Sequence, residues 1–440
     1  MRRILRTLLA LVPCAVLGGA LSAPIQAYAD GVTSASVKLT YSDRTELGDG
    51  LAHYRYDLTV GPGQYDKVRI HRIVREGRPD KPVRTRDGVM LLHGSPGNFE
   101  GFLASMVSGV SDPDHSIAVF LAKNDIDVWG IDLGWALVPV EETDFGFMAE
   151  WGVAKDVAHT EAALSFVRSI RIRTGQGNGK LHVLGFSYGG QLAYMLAGEE
   201  ATRPPGLRNI KGIVPIDVAV KFEDAADREA YCAAAIADAA TLASGEYANR
   251  SGWLFQVAAY LASVDPEGES PITPQWGMTM SNWQAVLFAG TSTNLLTGLP
   301  WHMVGGYIDA SGLPTGLRFT DEQLFIAAVG MMPAYYPVKT DVDLDEVMCG
   351  TVETPLDDHL AQIAIPIFQI AAKGGFGPSA FASTTATASR DITTMTIQFM
   401  PDADRALDFG HFDTMSARNA EALVWQPILD WIIAHRENRP

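Results

Sequence analysis

Polar and apolar residues alternate in the first part of the chain as they do in half-buried β-strands. Three such segments follow one another between turns rich in Gly and Asp: VKLTYS from Val37, LAHYRYDLTV from Leu51 and KVRIHRIVRE from Lys67. Strands with this alternation have one face against a core and the other toward water. We therefore expect antiparallel strands at the edge of a larger sheet, with His53 and His71 as surface or edge residues rather than ligands.

A different pattern fills the rest of the chain, where short and almost wholly apolar runs alternate with longer helical segments. Runs of this kind are typical of strands buried on both faces of a parallel sheet. The longest helical segment before the middle of the chain is Val153 to Arg173, and a final helix is predicted from Asp413 to His435. The alternation indicates an α/β fold with a mostly parallel central sheet flanked by helices. The predicted strands are GVMLL at 88–92, IDVWGIDL at 126–133, IKGIVPI at 210–216, IPIFQIAA at 365–372 and TTMTIQFM at 393–400.

The segment LHVLGFSYGGQLAYMLAG, at 181–198, has the pattern of a strand, a tight turn and a helix, with Ser187 at the corner. A serine at such a corner has a strained backbone, and side chains two residues before or after it would collide with the turn. Gly185 and Gly189 occupy those two positions. We therefore expect the hydroxyl of Ser187 to project beyond the end of the sheet, beside the backbone N–H of Tyr188 and the start of a helix.

A second turn follows the strand at 88–92 and has the sequence HGSPG at 93–97. A glycine-containing turn after a strand can direct a backbone N–H toward a developing oxyanion, and the proline stiffens the loop that presents it. We assign the oxyanion hole to the N–H groups of Ser95 and Tyr188. For His93 we expect a structural role in holding the loop, since one catalytic base suffices.

Together with a late Gly410-His411 pair before the last helix, these two motifs resemble those of α/β-hydrolases. The resemblance covers about residues 37–217 and 360–440. It implies a Ser-His-acid triad in which Ser187 is the nucleophile and His411 is the general base.

The acid of this triad departs from the usual pattern of the family. Many members carry an aspartate after the strand corresponding to IPIFQIAA, but the loop at 373–378 reads KGGFGP and has no carboxylate. Some members carry the acid one strand earlier, where this chain has Asp217. We expect Asp217 to be the acid, with Asp391 as its rival. Three further acidic residues precede His411 and are expected to serve its loop: Asp402, Asp404 and Asp408.

The first 29 residues have the pattern of a signal peptide. Three arginines come first, an apolar stretch follows from Leu8 to Leu21, and AYA at 27–29 supplies the small residues needed for cleavage. Pro13 and two glycines interrupt the apolar stretch, which favours a cleaved signal over a retained anchor. A lipoprotein signal at Cys14 is disfavoured, because Pro13 stands where a small residue is required. We expect cleavage near Ala29 and a secreted or periplasmic protein.

Charge and cysteine content restrict the possible partners. The 440-residue chain has a net charge of −17 and becomes more acidic when its basic N-terminal segment is removed. Nucleic acid and anionic membrane surfaces are therefore poor partners, and no segment after residue 29 is long and apolar enough for stable membrane insertion. Cys232 and Cys349 remain in the predicted mature chain, either as one disulfide or as two separate buried thiols.

The chain is longer than a usual single core, so we expect one main domain with a large insertion. We place the hydrolase core at 30–217 and 359–440 and a largely helical cap or lid at 218–358. The cap is dense in large apolar residues, most of which should form its own core while the rest line the substrate pocket. These residues are Trp253, Phe255, Tyr260, Trp276, Met278, Met280, Trp283, Phe288, Trp301, Met303 and Tyr307.

The residue types indicate serine-hydrolase chemistry without a cofactor or a metal ion. DVDLD at 341–345 is expected to be a solvated acidic turn rather than a calcium loop. The first functional hypothesis is an exported hydrolase that cleaves a bulky, hydrophobic ester of small-molecule size through an acyl-enzyme. The alternative is a secreted aminopeptidase or other exopeptidase, whose acidic anchor for the substrate amine would come from Glu141-Glu142 or from the surroundings of Asp217. The third hypothesis is a non-catalytic binding protein on the same scaffold.

Overall fold

The computed structural model describes residues 37–109, 112, 114–293 and 301–436. The predicted signal peptide at 1–29 and its cleavage site lie outside the described residues. The strands are β1 (Lys38–Gly48), β2 (Leu51–Thr59), β3 (Lys67–Arg78), β4 (Lys81–Pro82), β5 (Asp87–Leu92), β6 (Ile126–Asp132), β7 (Leu181–Phe186), β8 (Ile210–Ile216), β9 (Ala248–Asn249), β10 (Gly306–Ile308), β11 (Pro314–Leu317), β12 (Tyr336–Pro337), β13 (Ile367–Ala372) and β14 (Ile392–Ile397).

The helices follow the same chain order. The α-helices are α1 (Ala104–Ser108), α2 (Ile117–Lys123), α3 (Val153–Arg173), α4 (Tyr188–Ala201), α5 (Ala225–Ala243), α6 (Ser251–Val264), α7 (Asn282–Thr291), α8 (Glu322–Gly330), α9 (Val338–Cys349), α10 (Ala382–Thr385), α11 (Asp413–Ser416) and α12 (Gln426–Ala434). Short 3₁₀ segments are Phe99–Leu103, Gly134–Leu137, Gly146–Met148, Pro205–Leu207, Thr273–Trp276, Leu360–Gln362, Pro378–Phe381 and Asp402–Leu407, and Glu421–Trp425 is a π-helical turn.

The main sheet has the strand order β1-β2-β3-β6-β5-β7-β8-β13-β14, and β4 pairs with the end of β3. The pairs from β1 to β6 are antiparallel, whereas the run from β6 to β14 is parallel. This topology confirms the predicted α/β class and the predicted antiparallel strands at one edge. Because the carboxyl ends of parallel strands meet at one edge of a sheet, the loops after β5, β7, β8 and β13 converge there.

Helices cover both faces of the parallel run. Met90 and Val183 belong to a hydrophobic cluster with residues of α3 and α4. Their neighbours along the strands, Val89 and Leu184, belong to a second cluster with residues of α2 and α12. Burial on both faces explains why these strands read as continuous apolar runs rather than as alternating patterns.

His71 is buried, contrary to the expected surface position. Only 4% of its surface is exposed, and its Nε2 lies 3.0 Å from an oxygen of Asp132. The cause is the position of β3, which lies between β2 and β6 and is not an edge strand. His53 is half-buried, with its Nε2 2.9 Å from Nδ1 of His71, and burial followed by the charge of His71 lowers the pKa of His53 to about 4.

The predicted single helix from Asp413 to His435 is wrong. The chain forms α11, leaves the helical conformation at Ala417, and returns through a π-helical turn to α12. Ala417 makes an antiparallel bridge to Thr320, which draws the chain out of the helix at this point. Within the described ranges, no helix is long and apolar enough to cross a membrane.

The elements from α5 to α9 lie outside the main sheet, between β8 and β13 in the chain. Helices α6, α7 and α8 share a third hydrophobic cluster that includes Phe255, Leu287 and Phe325. Tyr260 and Tyr307 join neither this core nor the pocket described below, because they point outward and are 62% and 47% exposed. The domain boundaries at 217/218 and 358/359 stay predictions.

A disulfide joins Cys232 to Cys349, which are 117 residues apart in the chain. It links α5 to the end of α9, two helices that pack against each other along their length. Of the two alternatives for these cysteines, the structure contains the bridge. The bridge fastens the first and last long helices of the segment between β8 and β13.

Reduction of this disulfide should lower the free energy of unfolding by about 2–5 kcal/mol, because the bond closes a long loop and restricts the unfolded chain. Thermal unfolding with and without reductant measures the effect, and the double variant Cys232→Ser/Cys349→Ser should be insensitive to reductant. Peptide mapping of the unreduced protein is the direct check. Two free thiols in that map would contradict the bridge.

Candidate active site

Ser187 occupies the corner between β7 and α4. Its backbone has φ 55° and ψ −128°, a left-handed conformation that residues with a side chain rarely adopt. The surrounding chain holds this strained turn, since the N–H of Ser187 donates to the carbonyl of Ile216 at 3.1 Å. Such a conformation persists only where neighbouring contacts offset its energetic cost.

The two glycines that flank Ser187 are in close contact with backbone. A Cβ on Gly185 would lie 2.0 Å from the carbonyl oxygen of Gly189, and a Cβ on Gly189 would lie 2.1 Å from that of Leu92. Gly94 approaches from the other side, where a Cβ would lie 2.9 Å from Cβ of Ser187. Side chains at these positions would push the serine out of its corner, as the sequence pattern indicates.

His411 and Asp217 form a buried pair. Nδ1 of His411 lies 2.6 Å from Oδ2 of Asp217, and the two residues are 4% and 0% exposed. Asp217 has φ 45° and also accepts hydrogen bonds from the backbone N–H groups of Ala372, at 2.7 Å, and Phe376, at 3.3 Å. Both oxygens of the carboxylate therefore accept backbone hydrogen bonds, and Oδ2 also binds Nδ1 of His411.

The glycine-rich loop after β13 is shaped around this carboxylate. A Cβ on Gly375 would lie 1.9 Å from Oδ2 of Asp217. The loop at 373–378 therefore leaves room for an acid that reaches across from the neighbouring strand β8. A residue with a side chain at 375 would collide with the carboxylate of Asp217.

Asp391 lies at the opposite edge of the sheet. It precedes β14, so it is at the amino end of a parallel strand, whereas Asp217 follows the carboxyl end of β8. Its carboxylate is 56% exposed and pairs with His435 at 3.1 Å. Asp408 serves the loop before His411, because its Oδ1 accepts the N–H groups of Phe399 and Phe409.

His93 holds the loop that lies beside Ser187. Its Nε2 accepts the N–H of Leu133 at 3.2 Å, so Nδ1 carries the proton and donates to the carbonyl of Gly94 at 2.8 Å. Burial lowers the pKa of His93, which keeps the ring neutral and able to accept at Nε2. These contacts agree with the structural role expected for this side chain.

The two predicted oxyanion donors lie at the same cavity as Ser187 and His411. Ser95 is in the loop held by His93, and Tyr188 is the first residue of α4. The first N–H groups of a helix have no partner inside that helix and can bind an anion. Their role as donors stays a prediction.

Asp413 supports the His411 loop and was missed in the sequence, where it was assigned only to the start of a helix. Its Oδ2 accepts the N–H groups of Gly410, at 2.7 Å, and Gly305, at 2.8 Å, while Oδ1 accepts the hydroxyl of Thr320 at 2.6 Å. Burial raises the pKa of Asp413 to about 7. An acidic residue two positions after the predicted catalytic histidine could have been recognised as a loop anchor.

The chain between α7 and β10 also contacts His411. The N–H of His411 donates to the carbonyl of His302 at 3.0 Å, and the N–H of Phe412 donates to that of Met303. The ring of Trp301 lies 4.9 Å from the imidazole, and the ring of Phe186 stacks on it at 4.6 Å. The imidazole is thus enclosed by aromatic rings from both the sheet and the inserted segment.

A cavity of about 450 Å³ opens beside Ser187 and His411. Much of its wall is apolar and comes from the segment between β8 and β13, including Phe255, Trp301 and Met303 from the predicted set of large residues. A pocket of this size and character suits a small organic molecule.

Part of the cavity wall is acidic. Asp341 and Asp345 lie one helical turn apart on α9, Asp238 approaches from α5, and all three line the cavity. Burial, followed by the charge of Asp238, raises the pKa of Asp341 to about 7, and burial with the charge of both neighbours raises the pKa of Asp345. The expected solvated turn at 341–345 is therefore wrong, because the segment is a helix packed against α5.

Glu141 and Glu142 do not belong to this site. Glu141 is exposed, and Glu142 accepts the hydroxyl of Tyr65 at 2.5 Å away from the residues that line the cavity. They do not supply the acidic anchor that the sequence suggested, because the loop that carries them packs beside the β2–β3 turn.

Comparison with solved structures defines the fold. No protein-family model matches the sequence, and a search of curated proteins found no match. The structure resembles that of a Sulfolobus solfataricus protein with a proposed lipase assignment, with a TM-score of 0.59 and 18% identity over 90% of this chain and 99% of that one. A soluble variant of the Saccharomyces cerevisiae monoglyceride lipase matches with a TM-score of 0.43 and 11% identity, over 91% and 97% of the two chains. With its mostly parallel sheet flanked by helices and a serine at the corner between β7 and α4, the chain has the α/β-hydrolase fold.

Proposed function

We propose that the protein is a serine hydrolase that cleaves a carboxylic ester through an acyl-enzyme. The observation that carries this proposal is the buried pair of His411 and Asp217, at 2.6 Å, on the wall of the same cavity as the strained Ser187. A serine hydroxyl is a weak nucleophile at neutral pH and needs an adjacent base. Ser187 and His411 line the same cavity, which supports this pairing of nucleophile and base.

In the proposed reaction, His411 removes the proton from Ser187 as the serine oxygen attacks the ester carbonyl. Asp217 accepts the hydrogen bond from Nδ1 of His411, which selects the correct tautomer and stabilises the charged imidazole that forms. His411 then gives its proton to the departing alcohol. In the second half, His411 takes a proton from water as the water oxygen attacks the acyl-enzyme carbonyl, and it returns that proton to the oxygen of Ser187 as the bond to the acyl group breaks and the acid leaves.

The negative charge on the former carbonyl oxygen needs donors that are already in place. The N–H groups of Ser95 and Tyr188 are the proposed donors, and His93 and the start of α4 hold them without using mobile side chains. Donors of this kind lower the barrier because they need no rearrangement when charge develops.

The wall of the cavity supports a hydrophobic substrate. Phe255, Trp301 and Met303 supply large apolar contact surfaces in the cavity that Ser187 also lines. Aromatic rings bury much area, and methionine adapts its shape to the ligand. We therefore propose an ester with a bulky apolar acyl or alcohol group, which agrees with the lipase assignment proposed for the Sulfolobus protein.

We also propose that the protein is exported. The expected signal peptide at 1–29 is one support, and the Cys232–Cys349 disulfide is another. Disulfides persist in oxidising compartments and are rare in the cytosol.

The rate of hydrolysis should rise with the size of the apolar group. Each buried methylene contributes about 0.8 kcal/mol, so kcat/KM should increase by roughly threefold or more per methylene until the cavity is full. Initial rates of the purified protein on p-nitrophenyl esters, from acetate to decanoate, give this slope. Equal activity on acetate and on long or aromatic esters would remove the proposed substrate class.

An exopeptidase is the second candidate function, because carboxyl groups lie inside the cavity. Asp238, Asp341 and Asp345 could bind the ammonium group of a peptide N-terminus by charge-assisted hydrogen bonds. Aminoacyl p-nitroanilides in the same assay separate the two candidates. Higher kcat/KM on anilides with a free amine than on every ester would favour the exopeptidase, and N-acetylation of those anilides should then abolish turnover.

A further inference from the structure

The reaction steps given above do not use a buried carboxylate that is hydrogen-bonded to the residue after Ser187. Asp156 lies in the first turn of α3 and is 0% exposed. It is one of several polar residues on the buried side of this helix, which the sequence pattern predicted only as a helical segment. A carboxylate is expensive to bury, so its partners are of interest.

Three donors from three separate segments converge on Asp156. The hydroxyl of Tyr188 donates to Oδ2 at 2.6 Å, and the indole N–H of Trp135 donates to the same oxygen at 3.1 Å. The indole N–H of Trp151 donates to Oδ1 at 2.9 Å. Tyr188, Trp135 and Trp151 are themselves 1–2% exposed, so water does not compete for these hydrogen bonds.

The charge of Asp156 is balanced by these donors rather than by an ion pair. Lys155, its neighbour, is instead paired with Asp66 at 2.6 Å, and its ammonium lies over the ring of Trp151. Burial raises the pKa of Asp156 to about 6, against the hydrogen bonds from Tyr188 and the two tryptophans. Three donors reach its two oxygens, and hydrogen bonds to a buried carboxylate are strong.

Two of the donors lead directly to the proposed oxyanion hole. Tyr188 carries one of the proposed N–H donors on its own backbone, immediately after the strained Ser187. Trp135 packs edge-on against His93, with ring centroids 5.2 Å apart, and His93 holds the loop that carries the other donor, Ser95. Asp156 thus contacts Tyr188, which carries one proposed donor, and Trp135, which packs against the histidine that holds the loop of the other donor.

We infer that Asp156 is a positioning residue, which fixes the Tyr188 backbone N–H and the His93 loop so that both donors point at one oxyanion. The inference rests on the proposed function, because it assigns a role within that reaction. Asp156 touches no reacting atom. Its effect passes through the hydroxyl of Tyr188 and the ring of Trp135.

The test compares Tyr188→Phe, Asp156→Asn and the double variant with a matched control. Tyr188→Phe removes a single oxygen and leaves the backbone donor present. Tyr194→Phe is the control, since it lies on the same helix, is 0% exposed and loses a hydroxyl hydrogen bond of the same length, 2.6 Å, to Gln369. The assay is hydrolysis of p-nitrophenyl butyrate.

Loss of a whole oxyanion donor lowers kcat by about 10²–10³-fold, so a misplaced donor should lower it by about tenfold. We expect that decrease in Tyr188→Phe, an equal or larger one in Asp156→Asn, and no further decrease in the double variant, with KM changed less than twofold. Tyr194→Phe should keep the wild-type kcat although it loses thermal stability. A kcat within twofold of wild type in Tyr188→Phe would overturn the inference, as would a raised KM with unchanged kcat.

A second measurement requires neither a substrate nor a folded variant at Asp156. Hydrogen exchange of the peptide at 185–192 should be faster in Tyr188→Phe than in Tyr194→Phe, because only the former releases the serine corner. Equal exchange in the two variants would also overturn the inference. If wild type hydrolyses none of the esters, the proposed function fails, while this exchange comparison still decides whether Asp156 holds the corner.

Discussion

Ser187→Ala should lower kcat by about 10⁴-fold or more while the fold persists. The substitution removes the proposed nucleophile, and what remains of the site cannot form an acyl-enzyme. Only a hydroxyl at the cavity wall is lost, so the thermal unfolding midpoint should stay close to that of the wild type. Initial rates on p-nitrophenyl butyrate and a thermal melt of the same sample measure both effects.

A matched serine distinguishes this effect from a general loss of hydroxyl groups. Ser169 lies on α3, where its hydroxyl donates to the helix carbonyl of Phe166 and accepts from Arg173. Ser169→Ala should keep full activity. If a pure Ser187→Ala sample kept most of its activity, the serine-hydrolase proposal would have to be abandoned.

Asp217→Asn and Asp391→Asn should differ by about three to four orders of magnitude in kcat. The side chain at 217 contacts Nδ1 of His411, and an amide there can stabilise neither the required tautomer nor the charged imidazole, so kcat should fall by roughly 10³–10⁴-fold. The side chain at 391 is exposed and pairs with His435 at the far edge of the sheet, so its amide should be nearly neutral.

The two Asp→Asn variants serve as controls for each other, because they make the same chemical change. Kinetics with saturating ester give kcat, and circular dichroism verifies that each variant is folded. If Asp391→Asn lost its activity while Asp217→Asn stayed active, Asp391 would be the acid and our assignment of Asp217 would be wrong.

The serine corner could be predicted because its constraints are local. Gly185 and Gly189 are required by backbone atoms within a few residues of Ser187 or on the adjacent strand, so the pattern of small residues reports the turn directly. The parallel strands were equally clear, because burial on both faces gives short apolar runs. These features follow from neighbours in the chain or from strand type alone.

The geometry of the acid depends on contacts that sequence spacing does not contain. Asp217 and the loop at 373–378 are far apart in the chain, and only the pairing of β8 with β13 brings them together. The sequence left Asp217 and Asp391 as candidates, and the structure places Asp217 just after the end of β8 and Asp391 just before the start of β14.

Buried polar residues were the main source of error. Asp341 and Asp345 looked like a solvated turn and His71 like a surface residue, because carboxylates and histidines are usually exposed. Their burial depends on neighbouring elements that the sequence does not reveal: α5 packs against the helix of the two aspartates, and β6 pairs with the strand of His71. Asp156 was overlooked for the same reason.

The contact between position 375 and Asp217 makes these two sites epistatic. A side chain at 375 would begin 1.9 Å from the carboxylate of Asp217, so an acid carried there could not coexist with the present one. Gain of an acid at 375 alone would crowd the loop, and loss of the acid at 217 alone would leave His411 without its partner. An evolving lineage would therefore have to cross a fitness valley to move the acid between the two strands, and a protein designer would have to change both positions in one step.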